Sequence, residues 1–202
     1  LARPEVLAEL QDFLARERLY VFTLNGFPYG TFHGQRVKEE VYLPDWRDPE
    51  RLRYTNRLAD LMAALLPAGG GDGGDGAPLE GSVSTVPGAF KPALGGEADI
   101  ARMAEQLLQH VAHLVALRRR SGRVVSLALE PEPACFLETV DEVIDFHDRW
   151  LRTPAALARL GELAGLDADG ARAALHTHLG LCLDLCHAAV EFEDPDAALD
   201  RV

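Results

Sequence analysis

The sequence predicts an α/β fold built on a parallel sheet, and two observations support this prediction. Segments with helical periodicity alternate with short apolar segments rich in β-forming residues along the 202-residue chain. Two apolar segments, residues 124–129 and 179–183, continue directly into an acid, as buried strands do where they reach a site. No GxGxxG motif follows any of these segments, so a dinucleotide-binding sheet has no support. The pattern is compatible with an open doubly wound sheet and with part of a barrel.

The first elements are a helix, a strand and a second helix. Residues 4–17 carry apolar side chains at helical spacing, and residues 19–24 (LYVFTL) form a compact run of β-forming residues. The strand pattern stops at Asn25-Gly26, which is a turn signal. Asp48 stands where it can cap a helix over residues 49–66, whose first residue is proline.

In the middle of the chain, the sequence pattern predicts two strands with a helix between them. Residues 68–78 (AGGGDGGDGAP) precede this unit, and we expect a flexible surface loop because they cannot bury apolar surface. Strands are expected over residues 81–86 and 124–129, with an amphipathic helix over residues 100–119. The largely apolar character of residues 124–129 predicts a strand buried on both faces.

In the last part of the chain, the sequence pattern predicts three helices, a strand and a final helix. Helical patterns cover residues 138–151, 154–164 and 168–178, and residues 179–183 follow as an apolar strand. Another helical pattern begins at residue 195. The whole alternation indicates parallel βα units.

Composition restricts the classes of function. Lys and Arg number 20 against 32 Asp and Glu, and the net charge of −12 argues against sequence-independent binding to nucleic acid. No stretch approaches the ~18 apolar residues needed to span a bilayer. Three cysteines without a disulfide-framework spacing predict a reducing, cytoplasmic location. Because the chain begins at Leu1 and stops within a helical pattern, we expect it to be a fragment of a longer protein.

Two acids at strand ends are the main candidates for chemistry. Glu130 follows one apolar strand and Asp184 follows another, and His187 lies three residues beyond Asp184. In parallel α/β folds the sites form at the carboxyl ends of the strands. A buried carboxylate needs a cation or solvent to offset its desolvation. Oxygen ligands with one or two imidazoles suit Mg²⁺, Mn²⁺, Co²⁺ or Zn²⁺, so we predict Glu130 and Asp184 as metal ligands.

Each of these residues also has a structural alternative. Strand-terminal acids such as Glu130 and Asp184 often pair with arginine or cap the following helix. His187 is either a structural histidine or a group that hydrogen-bonds substrate or transfers a proton.

A second group of candidate residues lies in the loops. The loop after the first strand combines an amide, aromatic rings, an imidazole and cations that suit an anionic oxygen: Asn25, Tyr29, His33, Arg36 and Lys38. Lys91, which follows the second strand, is a candidate for the same pocket. The alternative is an ordered surface loop with scattered polar residues.

Several segments resemble one superfamily. LEPEP at 129–133 is similar to the EPKP-type segment of xylose isomerase-like barrels, and LCLDLCH at 181–187 resembles their D-x-x-H segment. Residues 19–46, 81–91 and 183–195 together resemble the EboE-type metabolite traffic proteins. These are xylose isomerase-like TIM barrels encoded with a prenyltransferase-like membrane protein, and the likeness spans nearly the whole chain.

The resemblance implies a partial (β/α)8 TIM barrel that supplies roughly strands two to six. It implies Glu130 and Asp184 as metal ligands and His187 as a substrate contact. It also implies two further ligands, a His and an acid, on later strands outside this chain. Glu132 stands where the EPKP pattern has lysine, which reverses a charge beside the substrate.

The functional expectation is a metal-dependent isomerase or epimerase acting on a sugar-like or polyol-like metabolite through an enediolate. Glu130 would both bind the metal and remove the proton, and His187 is the other catalytic candidate. The second acid–base group is expected outside this chain. The alternative is a non-catalytic protein that binds or traffics a metabolite on a barrel scaffold. A small molecule is the expected partner, without nucleic acid or direct membrane insertion. The resemblance also implies a functional link to a membrane prenyltransferase-like protein.

Overall fold

The computed structural model describes residues 3–29, 38–67 and 79–201, which form one α/β unit. The strands are β1 (Thr23–Asn25), β2 (Gly81–Thr85), β3 (Val125–Leu129) and β4 (Leu179–Leu181). The helices are α1 (Pro4–Glu17), α2 (Pro49–Leu65), α3 (Glu97–Ser121), α4 (Val140–Phe146), α5 (Pro154–Ala164), α6 (Ala168–His178), α7 (Leu185–Val190) and α8 (Pro195–Leu199). Short 3₁₀ turns cover Lys38–Tyr42 and Lys91–Ala93, and a π-helical turn covers His147–Leu151.

The four strands form a parallel sheet in the order β1-β2-β3-β4. Each strand therefore lies beside the strand that precedes it in the chain. The predicted α/β class with a parallel sheet is confirmed. The described ranges contain four strands, one fewer than strands two to six of a barrel would supply.

Most helix predictions agree with the structure, whereas the outer strands are shorter than predicted. Helices over 4–17, 154–164 and 168–178 have the predicted bounds. Of the predicted strand 19–24, only the last two residues belong to β1, although the Phe22 carbonyl oxygen still accepts the Ser82 N–H of β2 at 2.9 Å. β4 ends at Leu181 because the chain turns there toward α7.

The two faces of the sheet differ, and the expectation of a third strand buried on both faces is wrong. On one face Val83, Leu127 and Leu129 are fully buried beneath the helices. On the other face Ser126 and Ala128 of β3 are only partly buried. Because successive side chains of a strand point to opposite faces, one face of β3 is buried and the other is open.

A buried arginine fastens the loop after β1. The Arg51 guanidinium donates hydrogen bonds to the carbonyl oxygens of Gly26, Phe27 and Pro44 at 2.8, 3.1 and 2.6 Å. Burial lowers the pKa of Arg51 to about 10. Trp46, also fully buried, donates its indole N–H to Thr85 at 3.2 Å and ties the loop to the end of β2. This fastening places the segment that contains Tyr42 above the carboxyl-terminal edge of the sheet.

Within the described ranges, no helix is long and apolar enough to cross a membrane.

The Asp48 cap of α2 is confirmed, since its carboxylate accepts the Glu50 N–H at 2.8 Å. The glycine-rich segment 68–78 lies outside the described residues.

Candidate metal centre

The structure brings Glu130, Asp184 and His187 together at the carboxyl-terminal edge of the sheet. One ligand atom from each residue lies within 4.8 Å of the others, and all three residues are half-buried. Glu130 follows β3, and its backbone N–H continues the ladder by donating to Thr85 O at 3.1 Å. Side chains alternate along a strand, so Glu130 lies on the same open face as Ser126 and Ala128.

Asp184 caps helix α7 with one of its two carboxylate oxygens. Its Oδ1 accepts the backbone N–H of Cys186 at 2.7 Å and that of His187 at 3.4 Å. The Cys186 N–H is the main cause that lowers the pKa of Asp184. The capping alternative is therefore observed, but it uses Oδ1, and Oδ2 lies 3.8 Å from His187 Nε2. The oxygen that caps α7 and the oxygen nearer the imidazole are therefore different atoms of the same carboxylate.

His187 is held in one tautomer by a backbone carbonyl. Its Nδ1 lies 2.9 Å from the Pro131 carbonyl oxygen, which can only accept a hydrogen bond, so Nδ1 carries a proton. Nε2, the other ring nitrogen, lies 3.4 Å from Glu132 Oε2 and 3.8 Å from Asp184 Oδ2, so two carboxylates face it. Metal-binding histidines commonly donate their other ring N–H in this way.

Glu132 adds a third carboxylate beside the cluster. Burial raises its pKa, and the neighbouring negative charges of Glu130 and Asp184 raise it further. His187 and a hydrogen bond from the Tyr42 side chain act in the opposite direction. The proximity of three carboxylates to one imidazole creates a surplus of negative charge at this edge.

The donor set fits a divalent cation. Neither Glu130 nor Asp184 pairs with an arginine or lysine of the described ranges, so the arginine-pairing alternative has no support there. Two carboxylates and one imidazole are ligands that Mn²⁺, Co²⁺, Zn²⁺ and Mg²⁺ accept. The ligand atoms lie within 4.8 Å of one another. Small side-chain movements would therefore bring all three to the ~2.1 Å that separates such ligands from a bound cation.

The predicted loop residues whose side chains the structure describes do not join this cluster. Asn25 Oδ1 accepts the Phe27 N–H at 2.9 Å and shapes the turn after β1. Tyr29 donates its hydroxyl to Glu50 at 3.0 Å at the start of α2. Lys91 forms ion pairs with Glu138 and with Glu142, the latter at 3.0 Å. His33 and Arg36 lie outside the described residues, as does the side chain of Lys38.

Two residues near the centre were not among the predicted site residues. Tyr42 hydrogen-bonds Glu132 from a distant loop, and no sequence pattern links the two positions. Cys182, in the apolar run before Asp184, is half-buried. Burial raises the pKa of its thiol, and the charges of Glu130 and Asp184 raise it further. Cys182 therefore lies beside the cluster. Its position two residues before Asp184 was the available signal.

No known family model and no curated protein matches this chain.

Proposed function

We propose that the sheet is part of a (β/α)8 barrel of the xylose isomerase-like class, with a divalent-metal site at its carboxyl-terminal edge. The sequential order β1-β2-β3-β4 supports this fold, because a doubly wound sheet reverses its strand order at a switch point. The likeness of LEPEP and LCLDLCH to the xylose isomerase-like segments agrees with it.

The metal site is carried by one observation, the convergence of Glu130, Asp184 and His187 on a single point. We propose all three as ligands, which adds His187 to the two acids predicted from sequence. The Pro131 carbonyl orients the imidazole and leaves Nε2 as its metal-binding atom. Any remaining coordination positions are free for water or for substrate oxygens.

We propose metal-dependent isomerisation or epimerisation of a sugar-like or polyol-like metabolite. When bound, the cation supplies Lewis acidity to adjacent oxygens of the substrate. Glu132, whose pKa is raised by burial, is placed to hold and move a proton at Oε2. Tyr42 orients that carboxyl group through its hydrogen bond.

The open face of the sheet supports a hydroxylated substrate. Below the cluster it presents the hydroxyl groups of Thr23, Ser82, Ser84 and Ser126. Ser82 Oγ donates to Thr23 Oγ1 at 2.8 Å, so this surface offers both donors and acceptors. Polar groups of this kind select a ligand that carries several hydroxyls.

One observation favours a second candidate, a protein that binds a metabolite without turning it over. Glu132 replaces the lysine of the EPKP pattern and is engaged by Tyr42 and His187. Native mass spectrometry of the purified protein separates the two functions. A retained metabolite that stays chemically unchanged with the metal supports binding alone.

The metal site is tested by titration of the metal-free protein with Mn²⁺ in a calorimeter. We expect Glu130→Gln and Asp184→Asn each to weaken binding at least about tenfold, and the double variant to lose it. Glu162→Gln, an exposed acid of α5, is the matched control and should bind as the unaltered chain does. Unchanged Mn²⁺ affinity in the double variant would refute the site.

The reaction class is tested by proton exchange. The Mn²⁺-loaded protein is incubated in D₂O with aldose and ketose sugars, and NMR follows deuterium entry beside the carbonyl carbon. We expect exchange that Glu132→Gln slows without loss of Mn²⁺ binding. Metal binding with no exchange in any sugar contradicts the isomerase proposal and leaves the metal site standing.

A further inference from the structure

The two segments that carry the proposed metal ligands are joined both at the cluster and beyond it. Glu130 begins the segment that leads from β3 to α4, and His187 lies on the segment that leads from β4 into α7. At the cluster, the hydrogen bond between His187 and the Pro131 carbonyl joins them. Beyond it, the Glu193 carboxylate accepts the backbone N–H of Val140, the first residue of α4, at 3.1 Å.

The turn that ends α7 directs the Glu193 side chain toward α4. Phe192 has a left-handed backbone, with a φ of 59°, which reverses the chain after the helix. The N–H of Phe192 donates to Ala189 O at 3.3 Å, and the N–H of Glu193 donates to Ala188 O at 2.9 Å. These two bonds form a Schellman motif, in which glycine is the usual left-handed residue because a side chain there strains the backbone.

That strain is not offset by the packing of the Phe192 ring, which is 94% exposed. A strained backbone persists where the surrounding contacts hold it in place. The bond from the Val140 N–H to Glu193 is such a contact. A second contact nearby, the ion pair between Asp141 and Arg201, contributes little because both side chains are about half exposed.

The α4 end of this bond is coupled to the segment that contains Glu130. Val140 and Leu137 are both buried, so neither can move without disturbing the core. The Glu132 N–H donates to Leu137 O at 3.2 Å, which closes the path from β3 to α4 into a compact loop. A shift of Val140 is therefore transmitted to the residues that follow β3.

We propose that Glu193 is a positioning residue for the metal centre. By holding α4 and α7 together, it sets the separation between Glu130 on one segment and Asp184 and His187 on the other. The inference rests on the proposed metal site. Ligands must be held within about 0.5 Å of their productive positions, and loss of a partner that orients a ligand costs about 10–100-fold in metal affinity. Glu193 acts through the backbone, so we expect a smaller loss of about three- to tenfold.

Three substitutions of Glu193 separate its reach from its charge. Glu193→Gln keeps an acceptor oxygen at the same reach, so it should retain the bond to Val140 and the Mn²⁺ affinity. Glu193→Asp keeps the charge but is one methylene shorter, and Glu193→Ala keeps neither property. Both should weaken Mn²⁺ binding about three- to tenfold in calorimetric titration. Glu191→Ala removes an equal charge from the C-cap of α7 and should bind as the unaltered chain does.

The metal-free protein provides a second readout that does not depend on Mn²⁺. NMR of ¹⁵N-labelled histidine follows the ring nitrogens of His187, whose signals are assigned with His187→Gln. We expect Glu193→Asp and Glu193→Ala to shift these signals, and Glu193→Gln and Glu191→Ala to leave them unchanged. Thr153→Ala, which removes the side-chain cap of α5, is the control for lost stability and should also leave them unchanged.

The outcomes separate the positioning role from the metal site. Unchanged His187 signals and Mn²⁺ affinity in Glu193→Asp and Glu193→Ala would overturn the positioning role and leave the metal site standing. Weaker binding in Glu193→Gln than in Glu193→Asp would assign the effect to charge and would also overturn it. Shifted His187 signals in a protein that does not bind Mn²⁺ would support the positioning role and refute the metal site. Circular dichroism checks each variant for folding, and Glu193→Asp carries the test if Glu193→Ala unfolds.

Discussion

At the scale of single residues, Asp184 combines two tasks. One oxygen satisfies the first N–H groups of α7, and the other faces His187 Nε2 at 3.8 Å. A helix N-terminus favours a negative charge, so the cap also keeps the carboxylate ionised. The structural and the metal-binding interpretations of this acid are therefore compatible.

Two substitutions of Asp184 separate the two tasks. An asparagine side chain keeps a capping oxygen, so Asp184→Asn should change the free energy of unfolding by less than about 0.5 kcal/mol, while Asp184→Ala should cost about 1 kcal/mol. Both should weaken Mn²⁺ binding at least about tenfold, because both remove the charged ligand. Urea unfolding and calorimetric titration measure the two effects. Equal Mn²⁺ affinity in Asp184→Asn and the unaltered chain would limit Asp184 to capping.

His147 predicts a pH dependence of stability. Burial lowers its pKa from 6.5 to about 4, and its Nε2 has no hydrogen-bond partner in the described structure. The unfolded chain therefore binds a proton at this residue below pH ~6.5, while the folded chain stays neutral until pH ~4. Stability is complete above that window and falls as the pH decreases through it, by up to ~3 kcal/mol.

The measurement compares urea unfolding at pH 7 and pH 4.5 at one protein concentration. His147→Phe should lose less stability between these values than the unaltered chain does. His113→Gln, which alters a partly exposed histidine paired with Asp60, is the control. The same loss in His147→Phe and the unaltered chain would show that His147 is not the group responsible.

At the scale of elements, the segment after β3 that carries Glu130 and Glu132 is held by contacts from the loop between β2 and α3. Lys91 forms ion pairs with Glu138 and Glu142, and its backbone N–H donates to Ala134 O at 2.9 Å. The two acids raise the pKa of Lys91 against the lowering effect of burial. The lysine predicted as a substrate contact is thus engaged in holding the β3–α4 loop.

Lys91→Met tests whether this lysine clamps the loop or contacts substrate. A clamp predicts a loss of about 0.5–1 kcal/mol in unfolding free energy, since the pair is partly exposed. It also predicts a several-fold decrease in Mn²⁺ affinity, because Glu130 lies in the loosened segment. Arg53→Met, which breaks the surface pair with Glu50, should leave Mn²⁺ affinity unchanged. Unchanged stability and Mn²⁺ affinity together with weaker substrate binding would instead indicate a substrate contact.

The sequence predicted elements well where burial and local signals coincide. Helices α5 and α6 begin at side chains that accept the first N–H groups, Thr153 and Asp167, and their bounds agree with the predictions. β1 is shorter than its β-forming run, because only Thr23–Asn25 pair in register with β2, while Phe22 contributes one hydrogen bond, from the Ser82 N–H to its carbonyl oxygen. Strand length thus depended on neighbours that local sequence does not reveal.

At the scale of the whole molecule, the sheet is covered on one side and open on the other. The outward residues of β2 and β3 are fully buried under the helices, while the hydroxyl groups of Ser82 and Ser126 remain accessible. The proposed substrate surface follows from this asymmetry.

The sequence by itself determined the α/β class, the bounds of α1, α5 and α6, and the placement of Glu130 and Asp184 at strand ends. These follow from periodicity and from the rule that parallel strands end at one edge of a sheet. Only the tertiary structure decided that the Pro131 carbonyl orients His187, and that Tyr42 bonds Glu132. It also separated Tyr29 and Lys91 from the cluster by giving them other partners. The physical reason is that these contacts join residues far apart in the chain, where packing and charge, not local pattern, choose the partner.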